Sequence, residues 1–297
     1  MNTFLSLTKR NVKMFFKDKG MFFTSLITPI ILLVLYATFL AKIYRDSFAS
    51  ALPEGFTIDE KLISATVGGQ LMSSLLAVSC VTVSFCANLL MVQDKVNGAR
   101  KDMLVTPVRR SVVASSYYVG TLLTTVIVSL VATGACFIYL AINGWYLSFG
   151  DVMLIILDVV ILTMFGTALA SVVNVFLTSS GQASAVGTVV SAGYGFICGA
   201  YMPINQFGSG LQKVLSLLPG TYGTSLIRNH CLGGVFREMS AVGFPSEVVE
   251  GIKESIDCNI SFFGNTVSIG AMYAVTLGAT ALLIGAFVLI NVLRKRA

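Results

Sequence analysis

The chain has 297 residues, of which 55% are hydrophobic and only 11% are charged. Soluble domains contain about 45–50% apolar and about 25% charged residues, so this composition excludes a soluble globular domain and indicates lipid as the solvent. The net charge of +6 does not indicate nucleic-acid binding, because the basic residues lie at the ends of apolar segments and not on one polar surface.

Residues 1–20 are predicted to form an amphipathic helix in the cytoplasmic membrane interface, and they lack the small-residue cleavage site of a signal peptide. On a helical wheel, one face holds the apolar residues Phe4, Leu7, Val12, Met14, Phe15 and Phe16. The opposite face holds Lys9, Arg10, Lys13 and Lys17. The alternative interpretation is a basic juxtamembrane stretch with no discrete helix.

Six apolar stretches are long enough to cross a bilayer, which takes roughly 20 residues each. They cover residues 21–43, 67–92, 112–142, 152–177, 183–202 and 267–292. Six spans leave both termini on one side, and if that side is cytoplasmic, the inner segments carry 13 Lys and Arg residues against 7 in the outer segments. The positive-inside rule therefore predicts cytoplasmic termini. The expected fold is an all-α integral membrane protein in which residues 1–297 form a single transmembrane domain.

Two predicted spans carry stripes of small or polar residues. The second has Ser73, Ala77, Cys80, Ser84, Ala87 and Met91 at alternating spacings of four and three, with Asn88 beside them. In lipid such a stripe must face protein or a cavity, so Ser73, Ser84 and Asn88 either pack in the core or line a transport pathway. The fifth has Ala183, Gly187, Ser191, Gly195 and Gly199 at a spacing of four, which predicts a close contact between helices.

The segment 93–110 is the only sizeable cytoplasmic loop that the six-span topology predicts. A short helix over residues 95–104 is expected to end at Thr106-Pro107, because proline disfavours helical geometry in the residue before it. A basic linker that merely satisfies the positive-inside rule is the simpler interpretation.

Asp158 is the only acidic residue well inside a predicted span, and an intramembrane carboxylate is a candidate for function because it is costly to place there. The alternative is that Asp158 lies near the outer interface and is satisfied by a hydroxyl group or water. His230 is the only histidine and is expected to be solvated or packed in the outer region.

The outer region, residues 203–264, is too polar to cross the bilayer. Two short helices over 211–218 and 222–228, broken at Pro219, are predicted to dip into the outer leaflet as a re-entrant element. A surface cap helix is expected to begin near Pro245, with Ser246 as its N-cap. Its apolar face would consist of Val248, Val249, Ile252 and Ile256.

The six cysteines show no CxxC spacing, so no metal site is expected. Four of them lie inside apolar stretches, where thiols act as small hydrophobic groups. The other two, Cys231 and Cys258, share the outer region, and a single disulfide between them is a hypothesis that sequence separation alone cannot support.

Two blocks of residues resemble the type-2 family of ATP-binding-cassette (ABC) exporter permeases. The first lies in the cytoplasmic loop and consists of Asp94, Gly98, Met103, Leu104, Thr106, Pro107, Val108 and Arg110. The second consists of Gly199, Pro203, Leu211, Leu215, Pro219, Tyr222 and Arg228. With the predicted spans and the N-terminal helix, the resemblance covers nearly the whole chain.

The resemblance implies that the first block couples the spans to a separate P-loop ATPase subunit, which binds ATP and Mg. It also implies an outer gate formed by Pro203, Pro219, Tyr222 and Arg228, and a dimer with a second copy or a homologue, with the fifth-span stripe at its axis. No Lys follows a Gly in this chain, so a GxxxxGK[ST] phosphate loop is missing and no cofactor is expected on the chain itself.

Together these features predict the membrane subunit of a bacterial ABC exporter, which would move amphiphilic, drug-like, peptide or lipid-linked cargo and would not itself be an enzyme. The alternative is an ion-gradient-driven secondary transporter that uses Asp158, for which internal repeats would be expected. A membrane-bound enzyme would need clustered His, Asp or Glu residues at one membrane surface, which one histidine and scattered acids do not supply.

Overall fold

The computed structural model describes residues 2–36, 38, 42 and 59–293. In this part of the chain the protein is an all-α membrane protein with one small antiparallel hairpin, in which Ser261 pairs with Thr266 and Phe262 with Asn265. The first four helices are α1 (Asn2–Lys17), α2 (Lys19–Leu35), α3 (Glu60–Val96) and α4 (Ala99–Val105). The next four are α5 (Arg110–Asn143), α6 (Phe149–Asn174), α7 (Ser180–Ile197) and α8 (Ser209–Leu215). The last three are α9 (Pro219–Ala241), α10 (Ser246–Ser255) and α11 (Ile269–Leu293), and the strands are β1 (Ser261–Phe262) and β2 (Asn265–Thr266).

Four helices of the described residues, α3, α5, α6 and α11, are long and apolar enough to cross a membrane. They correspond to predicted spans two, three, four and six. Helices α3 and α5 are longer than the predicted spans, whereas α6 and α11 are displaced along the chain by one to three residues. Helices α1 and α2 pass the same test only as a pair, which is bent by 73°. The bend lies at Asp18, whose side chain accepts a hydrogen bond from the Met21 backbone N–H and so begins α2.

Predicted span five differs from the structure, whereas the predicted end of span one lies outside the described residues. Helix α2 ends at Leu35, and most of residues 37–43 lie outside the described residues, as do Arg45 and the basic residues 294–296 that entered the charge comparison. Helix α7 ends at Ile197, five residues before the predicted end of span five. It ends there because Gly199 has a φ of 73°, a left-handed conformation that stops a helix and that glycine adopts without strain.

Helix α1 is not only a surface helix. Its Thr8, Asn11 and Phe15 side chains are buried, and a Cβ on Gly120 of α5 would come within 2.8 Å of Asn11 Cβ. The close approach of α1 to α5 therefore depends on a glycine. Leu5 and Phe16 remain exposed and are available to lipid.

Helix α3 forms the centre of the protein, and almost every residue along it is buried by other helices of the same chain. Helix α6 approaches it closely at Gly166, where a Cβ would come within 3.0 Å of the Cys80 carbonyl oxygen. Small residues at such crossings let the backbones pack where lipid gives no hydrophobic drive for association.

The prediction of two short outer helices broken at Pro219 is wrong for the second of them. Pro219 lies in the first turn of α9, where its missing N–H costs no hydrogen bond, and α9 is 23 residues long in total. Most of α9 is buried against α3, α6 and α11. At Gly234 a Cβ would lie 1.9 Å from the Tyr146 carbonyl oxygen, so only glycine permits this approach.

The predicted cap helix is present as α10. Val249 is buried, and Val248, Ile252 and Ile256 pack with it against the outer half of α9, as the apolar face predicted. Ser246 is not the N-cap: Pro245 occupies that position, and no side chain caps the helix.

The disulfide hypothesis is contradicted. Cys231 and Cys258 are both free and buried, and they belong to different apolar clusters. Burial raises the pKa of the Cys258 thiol to about 12, because the thiolate would lose its hydration.

Candidate functional site

The segment 93–110 contains a short helix, but its start differs from the prediction. Helix α3 continues through Val96, so Lys95 belongs to α3 and not to the loop helix. The chain reverses at Gly98, which has a φ of 84°, and α4 then runs from Ala99 to Val105. This turn, for which glycine is suited because of its positive φ, places α4 next to the C-terminal end of the spanning helix α3.

Asp94, near the end of α3, joins three helices. Both guanidinium nitrogens of Arg10 on α1 donate to its carboxylate, one of them at 2.9 Å, and the Tyr117 hydroxyl of α5 donates to Oδ2 at 2.6 Å. The hydrogen bond to Asp94 raises the pKa of Arg10. A bidentate, charge-assisted pair of this kind fixes geometry as well as adding energy.

Two further basic residues anchor the same segment. Lys95 Nζ donates to the carbonyl oxygens of Val175 and Leu177, at 3.2 and 2.5 Å, at the inner end of α6. Arg100 Nη2 of α4 donates to Oδ1 of the buried Asn291 of α11, at 2.9 Å. The segment is therefore held by α1, α5, α6 and α11.

The apolar face of α4 points into the chain. Met103, Leu104 and Val108 are half-buried and pack against the cluster that contains Phe15 and Tyr117. Val105 is 87% exposed, and Thr106, Pro107 and Arg110 beside it are also exposed. Any surface that this segment offers to another protein is thus centred on Val105 and not on Met103 and Leu104.

The region predicted to lie on the outer side is organised around Arg228, which is fully buried on α9. Its guanidinium donates to the carbonyl oxygens of Ile256 at 2.6 Å and Gly199 at 2.9 Å. It also donates to Ser74 Oγ of α3 at 3.3 Å, and it lies 3.7 Å from the Asp257 carboxylate. One side chain thereby ties α9 to α3, to the end of α7 and to the segment after α10.

The other predicted gate residues lie around this centre. Pro203 precedes Ile204, whose backbone N–H donates to Asp257 Oδ2 at 2.5 Å. Burial raises the pKa of Asp257, while the charge of Arg228 acts in the opposite direction. Tyr222, one turn into α9 from Pro219, donates its hydroxyl hydrogen to the Ser216 carbonyl at 2.5 Å and so closes the α8–α9 turn.

The small residues of the predicted stripe divide into two groups. Gly195 and Gly199 are buried within the chain, and a Cβ on Gly195 would lie 2.4 Å from the Tyr201 ring. Ala183, Gly187 and Ser191 instead line an open groove of about 510 Å³ between α2, α3 and α7. Its other small, polar or sulfur-bearing lining residues include Thr24, Thr28, Cys86, Ser184, Thr188 and Tyr201. The hydroxyl residues of α2 and Tyr201 were missed by the sequence reasoning, since nothing in the sequence places α2 beside α7.

Ser73, Ser84 and Asn88 are buried in α3 and do not belong to this groove. Ser84 Oγ lies 3.3 Å from Thr167 Oγ1, and Asn88 donates to Ser171 Oγ at 3.0 Å. Asn88 also accepts a hydrogen bond from Asn174 at 3.0 Å. In this structure the polar stripe of α3 is thus paired mainly with α6.

Asp158 and His230 are in contact, which the sequence reasoning missed. His230 Nδ1 lies 2.5 Å from Asp158 Oδ2, and the Tyr273 hydroxyl donates to Asp158 Oδ1 at 2.5 Å. The two signals that could have paired them are that Asp158 is the one deep acid and His230 the one histidine of the sequence.

The chain matches a known protein family over most of its length. The family model described as "ABC-2 type transporter" matches residues 2–231. The match includes α1 to α8 and the first half of α9, with the loop at 93–110 and Arg228, but not the Arg228 partners Ile256 and Asp257. Comparison with curated proteins gives no match.

Proposed function

The chain belongs to the ABC-2 type transporter family, whose model matches more than half of it, and on this premise we propose that it is the permease subunit of a bacterial ABC exporter. It is a multi-pass membrane protein and a transport component of such a system. In the proposed function a separate P-loop ATPase subunit binds ATP and Mg, and residues 1–297 act as a single permease domain.

The proposed topology has six spans with both termini in the cytoplasm. Helices α2 and α7 would be the two spans in addition to the four long helices. Exposed apolar side chains on both support this, with Ile30 of α2 54% exposed and Val189 of α7 70% exposed, since such residues suit lipid or another membrane helix. Helix α1 would lie in the cytoplasmic interface, and the α8–α9 turn would dip into the membrane from outside as the re-entrant element.

The observation that carries the proposal is the way the segment 93–110 is held. Hydrogen bonds from Arg10, Lys95 and Arg100 connect it to α1, α6 and α11. The side chain of Val105, at the turn after α4, is 87% exposed. A rigid, multiply anchored turn is what a docked ATPase needs in order to move several spans at once.

The test is ATP hydrolysis with and without a partner. The purified chain is expected to hydrolyse no ATP, because it lacks a phosphate loop, and co-purification with a P-loop ATPase should supply the activity. A partner whose phosphate-loop lysine is replaced by alanine serves as the control for contaminating enzymes. Hydrolysis by the chain alone, or by the complex with that disabled partner, would contradict the proposal.

The ion-driven alternative makes a different prediction for Asp158. Both of its oxygens already have a hydrogen-bonding partner, His230 Nδ1 on Oδ2 and the Tyr273 hydroxyl on Oδ1, which does not favour an open ion site. Liposomes that contain the chain and have an ion gradient, but no ATP, should therefore show no transport of cargo across the membrane. Transport under that condition, abolished by Asp158→Asn, would favour the alternative.

We further propose that two permease copies meet across the groove lined by α2, α3 and α7. Gly187 is the position that tests this, because a Cβ there meets no atom within 4 Å in the chain. Gly187→Leu is expected to lower the yield of crosslinks between single cysteines on α7 of two copies, since leucine would hold the copies apart.

Gly193→Leu is the matched control for this prediction. Gly193 is also free of neighbours within 4 Å, but it lines a different groove, between α6, α7 and α11. Equal losses of crosslinking in both variants, or no loss in either, would show that the two copies do not meet across the groove between α2, α3 and α7. Leucine at Gly195 is unsuitable for the test, because it would collide with Tyr201 inside one chain.

A further inference from the structure

Helices α6, α9 and α11 meet at three side chains: Asp158, His230 and Tyr273. The function proposed above gives these three residues no joint role. Asp158 is 2% exposed and His230 is 9% exposed. The imidazole and phenol rings are stacked at 26°, with centroids 6.4 Å apart. A buried carboxylate, a buried imidazole and a half-buried phenol from three helices thus meet at one position.

The energetics of this position depend on pairing. A carboxylate in a spanning helix is costly unless it is paired and hydrogen-bonded, and each oxygen of Asp158 has a partner at hydrogen-bond distance. The other ionisable groups near it are the thiols of Cys80 and Cys231, which are buried in the same region. The next charged pair along these helices, Asp151 with Arg237, is separate from it.

The location connects the two halves of the protein. Lys95 donates a hydrogen bond to a carbonyl oxygen at the C-terminal end of α6, and Arg100 donates one to Asn291 near the C-terminal end of α11. Asp158 and Tyr273 lie on these same two helices, toward their outer ends, and His230 lies on α9 two residues after Arg228. A path of hydrogen-bonded contacts therefore runs from the loop through α6 and α11 to α9.

We propose that Asp158, His230 and Tyr273 form a hydrogen-bonded latch that transmits movements of α6 and α11 to the outer gate on α9. His230 donates through Nδ1 to the Asp158 carboxylate, and Tyr273 donates to its other oxygen. The three are positioning residues, and they carry no cargo. The transmission role rests on the proposed function, whereas the latch itself can be tested on the chain alone.

The first test uses the fact that His230 is the only histidine of the chain. Selective ¹⁵N-histidine labelling of the full chain in lipid nanodiscs gives the NMR signals of one imidazole. A strongly deshielded proton on Nδ1 is expected, and it should disappear in Asp158→Asn but persist in Asp151→Asn, the same substitution two turns away on α6. A proton on Nε2 alone, or no change in Asp158→Asn, would overturn the latch.

The second test is a double-mutant cycle on thermal unfolding of the chain. His230→Gln leaves a buried carboxylate without its partner and should lower the Tm, and adding Asp158→Asn should raise it again, because the uncompensated charge is gone. Losses that simply add in the double variant would show that the two side chains do not act together.

The third test addresses transmission in the complex with the ATPase. A cysteine introduced for the exposed Val242, directly after α9, should react with a water-soluble maleimide at a rate that changes several-fold on trapping with ATP and vanadate. The change should be lost in the Asp158→Asn/His230→Gln variant. The same nucleotide dependence in both proteins, or none in the wild type, would overturn the transmission role, whereas failure of the ATPase to associate with the wild type would count against the proposed function.

Discussion

Replacing Arg228 by methionine is expected to lower the free energy of unfolding by about 3–5 kcal/mol, the usual cost of removing one partner of a buried ion pair. The Arg228 side chain is 1% exposed and that of Asp257 is 8% exposed. Methionine fills a similar space but donates no hydrogen bond, so the carbonyl oxygens of Gly199 and Ile256 lose their donor and the Asp257 carboxylate loses its nearest cation. The measurement is chemical or thermal unfolding of the chain in detergent.

Arg237→Ala is the matched control, because it removes an arginine from the same helix. Arg237 also pairs with an aspartate, Asp151, but the Arg237 side chain is 56% exposed. Asp151, whose side chain is 9% exposed, keeps the hydrogen bonds from the Ser148 backbone N–H and hydroxyl when Arg237 is removed, so the expected loss is no more than about 1 kcal/mol. Adding Asp257→Asn to Arg228→Met should recover part of the stability by removing the unpaired charge. Equal losses in the two arginine variants would mean that Arg228 is not a structural centre of the outer region.

The positions of the long helices could be predicted because they follow from composition. Runs of about 25 apolar residues can be satisfied only as helices in lipid, and four of the six predicted spans coincide with helices long enough to cross the membrane. The length of α9 could not be predicted in this way. The polar side chains of α9 can be buried because they donate hydrogen bonds to carbonyl groups of distant segments. A hydropathy scale scores the same side chains as favouring water, so it predicts that this segment is exposed.

The contacts within the candidate site depend on pairs that are far apart in the sequence. Arg228 and Ser74 are separated by 154 positions, and Asp158 is separated from His230 by 72 and from Tyr273 by 115. Composition can mark Asp158 as costly, but only the helix packing shows what compensates it. Likewise, the pattern of segment 93–110 predicts a short helix, whereas the direction of its apolar face depends on Phe15 and Tyr117, which lie on other helices.

That direction decides which substitution tests docking of the ATPase. The resemblance implies that the block containing Met103 and Leu104 couples the spans to the ATPase, but both side chains pack against the chain's own core. Aspartate at either position would disturb the loop itself, so a loss of ATPase binding could not be separated from a loss of structure. Val105 has no such drawback, because it is 87% exposed.

Val105→Asp is therefore expected to insert and fold normally but to bind the ATPase subunit at least about 100-fold more weakly. Burying an unpaired carboxylate in an apolar cleft costs about 3 kcal/mol or more, and each 1.4 kcal/mol is a tenfold change in affinity. The measurements are co-purification and titration of the ATPase onto the chain in nanodiscs, with thermal unfolding as the check on folding. Val242→Asp makes the same change at a 59% exposed valine on the proposed outer side and should bind the ATPase like the wild type. Normal binding by Val105→Asp would show that the turn at residues 105–107 is not the docking surface, and equal weakening in both variants would show that the effect is not local.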